Sequence, residues 1–496
     1  SSGVVVTSPV RVTFSEAVDE TTLDVASFTL ETTTGGAAVS ATISYDSASY
    51  VATLSPDSDL SNGTQYTATI TTVVTDVAGN AIASDYSWSF TTESVTAVWE
   101  QVGGQVSPAT AESEDPTMLV TGTTPSVGYR QGSFGINLNS WNEISLSWGS
   151  TKLHPESGNI SGSIYGTPGF ASDGTNIFVA YALAGGTYAT DAGFYDRIYL
   201  DQCTPASAWS GWNSGGELSV PWNATDGGSD AYEPAVAVAP GGSPFVAWSE
   251  SDVAPTPDTE FGAWVSSVTS SSSVRSNILS RDDDIVDYST DVRTVGITAD
   301  ASGNAYLAQW ESDATNQDLT NLYVTHYLGG SFTNLGAVVS ADYDYNNLSV
   351  PSLVLDGTDL YIAYTEANAV DNTQHVYVKK YSGGAWPTVG GGPVSAFTPS
   401  EHYDSGNPDL LLVNGTLYLA WEESDQYDGP FIFVARWDEA GGVWLMDGDK
   451  LNVDQLREAY DPSLAFSSAD NTLYVAFEEL VSGWPEIFVK RKLLVP

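Results

Sequence analysis

The feature that most constrains this chain is a pattern that returns about every 57 residues from about residue 97 onward. Each unit opens with a loop carrying Tyr or an acid, then Pro or an equivalent, then an apolar strand: EDPTMLV (114–120), YGTPGFA (165–171), YEPAVAV (232–238), DVRTVGI (291–297), SVPSLVL (349–355), NPDLLLV (407–413) and YDPSLAF (460–466). A Gly/Asn/Asp turn leads to a second strand, such as PFVAW, AYLAQW, LYLAW or LYVAF, and a third follows, such as VYVKKY or IFVARW. The fourth commonly begins at an aromatic beside glycines, as in GGAWPTVGGG (383–392) and GGVWLMDGD (441–449). Seven units of four antiparallel strands predict a β-propeller, because radial repetition protects most free sheet edges. The last unit has only three strands, whereas VWEQVGGQVS (98–107) has the form of the missing outer one. The reading is therefore a seven-bladed β-propeller over 97–496, closed by an N-terminal outer strand.

Residues 1–94 carry a different pattern, with short period-two segments such as VRVTFSEAV, SATISYD, TQYTATITTVV and YSWSFTT divided by Gly, Asn, Asp and Pro. These predict a small β-sandwich, so the whole chain is expected to be all-β. The segments VTFSEAVD (12–19), ATLSPDSDL (52–60), GTQYTATI (63–70), DVAGN (76–80) and WSFTT (88–92) resemble the bacterial Ig-like domains found as modules of surface and S-layer proteins. That resemblance implies a spacer rather than a seat of chemistry. It also implies that the chain starts inside a longer precursor, since members open with an additional Pro-containing strand.

Charge narrows the partners. The chain holds 62 acidic against 15 basic side chains, a formal net charge of −47. Such a surface repels nucleic acid and anionic lipid, which need clustered Lys or Arg, and suits cations or basic partners. No apolar run is long enough to span a bilayer, so direct membrane insertion is not expected. Cys203 is the single cysteine, which excludes an internal disulfide. The low Cys and Lys content with abundant Ser, Thr, Gly and Asn points to an extracellular or cell-surface protein.

Aligning the second strands brings Glu250, Glu311, Glu366, Glu423 and Glu479 to one position, with Gln131 and Leu183 in the first two blades. On the same face of the ring the opening loops supply Tyr165, Tyr232, Tyr288, Tyr345, Tyr403 and Tyr460. Three roles are open for the glutamates. They can latch backbone N–H groups of a neighbouring blade's entry loop. They can also bind a cation such as Ca2+, given the oxygen-rich loops RDDDIVDYSTD (281–291), SADYDYNN (340–347), SEHYDSGNPD (400–409) and ESDQYDG (423–429), or serve catalysis directly. The tyrosines, with Trp212 in the irregular second blade, are the candidate ligand-binding residues. The recurrent tryptophans Trp264, Trp310, Trp386, Trp421, Trp437, Trp444 and Trp484 are expected to fill the interfaces between blades.

The ring and the turn ASDGTNIFVAY (171–181) are similar to sialidase-like and lectin-like propellers. A sialidase-like activity implies three converging arginines and a Tyr nucleophile, but the nine arginines are scattered; only Arg130, Arg197 and Arg293 fall near strand ends in early blades. The four histidines show no zinc spacing, and His402, beside Glu401, Tyr403 and Asp404, is the one mixed constellation. The expected function is a surface binding or adhesion protein whose propeller meets a protein or glycan, with the Ig-like module as spacer or point of assembly. The alternatives are a carbohydrate-active hydrolase or lyase, or a structural subunit of a surface layer or filament.

Overall fold

Period-two alternation of large apolar and polar residues shapes both regions, and the computed structural model shows which face each alternate residue takes. The structure describes the chain outside residues 1–8, 58–59, 62–63, 93–97, 108–111, 133–134, 155–163, 185–195, 205–209, 212–217, 219–230, 240–241, 253–259, 270–271, 279–291, 301, 314–315, 330, 337–338, 345–348, 368–372, 399–400, 426 and 495–496. It forms two compact units, Ser1–Val98 with Leu494–Pro496, and Trp99–Leu493.

In the first unit, one sheet pairs Val10–Thr13, Val51–Pro56 and Ala41–Asp46, and the other pairs Phe28–Thr32, Gln65–Ile70 and Tyr86–Thr91. Phe28, Leu30, Leu54, Tyr66 and Ile70 fill the space between them. The DVAGN stretch is a tight turn in which Asp76 Oδ1 accepts from the N–H groups of Ala78 and Asn80. Among the described residues, no helix is long and apolar enough to cross a membrane.

The second unit consists of seven antiparallel sheets in chain order, called blades 1 to 7 below. Their first strands are Ser113–Thr121, Ile164–Ser172, Ala231–Ala237, Val292–Ala299, Ser352–Asp356, His402–Val413 and Ala459–Ser467. Their second strands are Thr124–Gln131, Ile177–Ala184, Phe245–Asp252, Ala305–Asp313, Asp359–Ala367, Thr416–Asp425 and Thr472–Val481. The first strands of all seven blades line one central channel of about 580 Å³.

Neighbouring inner strands are tied by a repeated bond. Ser352 Oγ of blade 5 accepts from Leu410 N of blade 6 at 2.9 Å, Asp409 Oδ2 of blade 6 accepts from Leu464 N of blade 7 at 2.7 Å, and Ser463 Oγ of blade 7 accepts from Met118 N of blade 1 at 3.0 Å. The last of these joins the end of the repeat region to its beginning. At Gly169 the backbones come so close that an added Cβ would lie 2.5 Å from the Pro234 carbonyl oxygen of the next blade, which only glycine tolerates.

Blade 7 takes its outer strand from the N-terminal side. Glu100–Gln101 pairs with Trp484–Leu493, matching Lys490 to Gln101 and Arg491 to Glu100. Beyond that short strand, Val102 N and Val106 N donate to the carbonyls of Val489 and Ile487. Trp99 Nε1 donates to the Asp447 carbonyl at 2.7 Å, which anchors the joint to the edge of blade 6. Trp99→Phe should keep the packing and lose one bond, lowering stability by about 1 kcal/mol in a urea melt; an unchanged midpoint would show that this contact does not hold the joint.

Two local expectations fail. The GGAWPTVGGG stretch of blade 5 forms isolated bridges, Val376 with Val394 and Lys379 with Thr388, rather than a fourth strand. Pro387 has no N–H for a ladder, and Gly390 and Gly391 hold positive φ of 89° and 76°. Trp484 does not fill an interface between blades: it follows the two-residue turn Ser482–Gly483 and is 59% exposed. Trp310 and Trp421 are fully buried, and Trp386 reaches across a blade boundary to donate to the Leu335 carbonyl.

Candidate functional site

The aligned glutamates share one register position. Glu250, Glu311, Glu423 and Glu479 lie opposite Ala231, Val292, Ser405 and Ala459 of their first strands, and Gln131 and Leu183 lie opposite Ser113 and Ile164. Where the side chains are described, they face inward. Glu423, fully buried, accepts from Ala396 N at 2.8 Å and Trp421 Nε1 at 2.7 Å, and also from Ser395 Oγ. Glu479, equally buried, accepts from Val453 N at 2.6 Å and Asp454 N at 3.1 Å, with Arg457 Nη1 at 3.5 Å. In both cases the backbone N–H groups belong to the loop that enters the glutamate's own blade from the preceding one, and not to a neighbouring blade's entry loop as the sequence suggested, because that loop runs past the end of the blade's own second strand. Burial holds both carboxyls above their ordinary range although these donors pull the other way. Glu311 accepts from Gln309 Nε2, and Glu366 accepts from Tyr364 Oη at 2.8 Å.

The carboxylates that converge belong to the residues one position earlier. Strand alternation turns them to the opposite face of the blade. Opposite the first strands, this position is held by Arg130 (facing Glu114), Ala182, Ser249, Trp310, Glu422 and Glu478 (facing Tyr460). The charged members therefore gather in blades 6, 7 and 1. The sequential doublets Glu422–Glu423 and Glu478–Glu479 divide into one mouth residue and one residue bonded to the incoming loop.

A second device aims acids at the same place. The first strands carry a bulge before their Pro, where Asp115, Glu233, Asn407 and Asp461 adopt left-handed backbone with φ of 57°, 49°, 45° and 49°. Non-glycine residues rarely take this conformation, and a bulge with such a residue re-aims a side chain. The freed N–H groups find the mouth glutamates of the preceding blade: Asp115 N donates to Glu478 Oε1 at 2.6 Å, and Asp461 N to Glu422 Oε2 at 3.0 Å. Asn407 Nδ2 donates to Asp461 Oδ1 at 2.6 Å. Arg130 Nε lies 3.1 Å from Asp115 Oδ2, and its guanidinium also pairs with Glu114.

Asp115, Asp461 and Glu478 each bring one carboxylate oxygen within 4.8 Å of the others. Burial, then the facing Glu422 charge, holds Asp461 well above the carboxylate range, and burial, then Asp461, does the same to Glu478. Burial also raises Glu422 and Glu114, the latter against the pull of Arg130. Five acids, Glu114, Asp115, Glu422, Asp461 and Glu478, are thus crowded beside Arg130, next to a channel lined by Asp115, Glu233, Asn407 and Asp461. Such a group binds either protons or a cation.

The remaining candidates fall elsewhere. Tyr403 is exposed on blade 6, and Tyr460 Oη donates to Glu458 at 2.6 Å at the rim. Tyr288, Tyr345 and Trp212 lie outside the described residues, as does the 281–291 loop. For Tyr165, Tyr232 and Glu250 the strand positions alone are described. His402 does not assemble with Glu401 and Asp404. Its ring stacks on His375 at 4.1 Å and its Nε2 lies 3.7 Å from Glu423 Oε1, while Asp404 accepts from Gln374 N. Cys203 is buried with its thiol pushed up to about 12, out of range for a reactive thiolate.

Residues 1–92 match the family described as bacterial Ig-like domain. No curated protein matches the chain. Among solved structures, a Trypanosoma rangeli sialidase in complex with a difluorinated nononic acid is 10% identical with a TM-score of 0.44, over 80% of this chain and 58% of that one. A Dyadobacter fermentans protein of unknown function is also 10% identical at TM-score 0.44, over 80% of this chain and 99% of that one. The Cellvibrio cellulosa α-L-arabinanase is 14% identical at TM-score 0.34, over 68% and 95%. The chain spans little more than half the length of the sialidases it resembles.

Proposed function

We propose that this chain is an extracellular carbohydrate-binding protein whose propeller takes a glycan at the channel mouth of blades 6, 7 and 1, with Ca2+ supporting the contact and the Ig-like module serving as spacer or point of assembly. The observation that carries this reading is the convergence of Asp115, Asp461 and Glu478 from two blades onto one point beside the channel. Oxygens on opposite sides of a Ca2+ ion stand about 4.8 Å apart when each lies about 2.4 Å from it, so this spacing accepts that ion. Water and sugar hydroxyls would complete its six to eight ligands.

A hydrolase is the second reading, because carboxyls held protonated near neutral pH are what a general acid requires. The spacing counts against an inverting pair, which leaves about 6.5–9.5 Å for water, and is nearer the roughly 5–5.5 Å of a retaining one. The test is a glycan array probed with Ca2+ and with EDTA. Retention of a glycan that EDTA releases, and that Asp461→Asn abolishes, is the expected result. Retention indifferent to both changes would move the site elsewhere, and released sugar product lost in Glu478→Gln would establish the hydrolase.

A further inference from the structure

The mouth is one end of a longer depression. A second cavity of about 290 Å³ shares Ser349 and Asn407 with the channel and contains Glu422. A third, of about 410 Å³, shares Ser424 with the second and is bordered by Tyr403 and Tyr427. The three adjoin through these shared residues, which places the carboxylates at one end of the series and two exposed tyrosines at the other.

Those tyrosines have no structural duty that explains their position. Tyr403 is 56% and Tyr427 81% exposed, large amphipathic rings beside a polar cleft. Tyr427 is held out rather than left loose, since the backbone N–H groups of Tyr427 and Asp428 both donate to Asp425 Oδ1 at 2.7 Å. The cations of the outer cleft are engaged internally. Lys450 Nζ sits 3.7 Å from the centre of the Phe431 ring and donates to the Gln455 carbonyl, and Arg457 pairs with Asp454 and Glu479. Asp404, Glu422, Asp428 and Glu458 leave the series acidic.

We propose that this series is one binding track for a linear, neutral oligosaccharide, with one end at the mouth and later sugar rings stacked on Tyr403 and Tyr427. The proposal rests on the glycan reading of the mouth and extends it to a substrate class. A sugar ring offers an apolar C–H face to an aromatic ring and hydroxyls that donate to carboxylates. A uronic acid or sialic acid chain would place charge against charge along the track. Several connected cavities call for a chain of sugars rather than a single one.

Calorimetry with neutral ladders of arabino-, xylo-, manno- and cello-oligosaccharides, from one to six units, and with oligogalacturonates tests this in the presence of Ca2+. Affinity for one neutral ladder should rise with length. Tyr403→Ala and Tyr427→Ala should each weaken the longest member about three- to tenfold and leave the shortest unchanged. Both sites are exposed, so an unshifted melting temperature confirms folding. Affinity independent of length and of both tyrosines overturns the track and leaves the mouth reading standing. Preference for oligogalacturonates overturns the neutral class. A wild-type protein that binds none of these sugars, on calorimetry or on the array, overturns the reading of the mouth and the track with it.

Discussion

Glu423→Ala and Glu479→Ala should each lower the stability of the propeller by about 3 kcal/mol, the largest loss expected from any single carboxylate. Each carboxylate is fully buried and closes the loop by which the chain enters its blade. Removing Glu423 strands Ala396 N and Trp421 Nε1; removing Glu479 strands Val453 N and Asp454 N. A buried donor left without a partner costs about 1–3 kcal/mol. Glutamine should recover part of the loss, since its carbonyl still accepts while its amide group meets a donor. Glu366→Ala is the internal control, because among the described residues that half-buried carboxylate accepts a hydrogen bond from the Tyr364 hydroxyl and from no backbone N–H, and its loss should be about 1 kcal/mol. Urea melts of the three variants decide: equal losses at Glu366 and Glu423 would refute the role at the blade boundary.

The second large effect is a coupling of pH and Ca2+ through the mouth. Burial raises Asp461, Glu478 and Glu422 above their ordinary range, and the Glu422 charge adds to the rise at Asp461 and the Asp461 charge to that at Glu478. A carboxyl raised in the folded state stabilises fully below its unfolded pKa, and this is lost as pH climbs through the folded value. Without divalent cation, the propeller should therefore lose stability as pH rises from the usual carboxylate range past neutrality. Ca2+ replaces the departing protons, and at a hundred times its dissociation constant contributes about 2.7 kcal/mol. The expected melting curves diverge as pH increases, with Ca2+ holding the midpoint where EDTA lets it fall. Asp461→Asn removes a ligand and a crowded acid together, so its two curves should draw close and flatten. A midpoint that rises with pH in EDTA, or a Ca2+ response untouched in Asp461→Asn, would contradict this.

The ring was legible because its signals are local and periodic. Apolar alternation, a Pro before each inner strand and a turn between strands recur in blades 1, 6 and 7 with little variation. The outer strand at Glu100–Gln101 followed from counting strands at the two ends. The shared register of Glu250, Glu311, Glu423 and Glu479 could also be read, and Glu423 and Glu479 hold the loops that enter their blades. What could not be read was which acids meet. Glu422 and Glu478 sit one residue before the aligned position, and period two sends them to the other face. The doublets at 422–423 and 478–479, and Arg130 at the matching place in blade 1, were the available signal. The left-handed bulges at Asp115, Asn407 and Asp461 had none, since aspartate before proline does not announce a positive φ. Tyr403 and Tyr427 are joined to the mouth only through Ser424 and the middle cavity, a juxtaposition that only three-dimensional placement reveals.

The central claim, that a cation occupies the mouth once its protons leave, is met most directly by calorimetric titration of Ca2+ at mildly acid and mildly alkaline pH. A single saturable site per chain, tighter at the higher pH, accompanied by proton release and absent in Asp461→Asn, is the predicted result. No saturable heat at either pH, or a site that persists in Asp461→Asn, would contradict it.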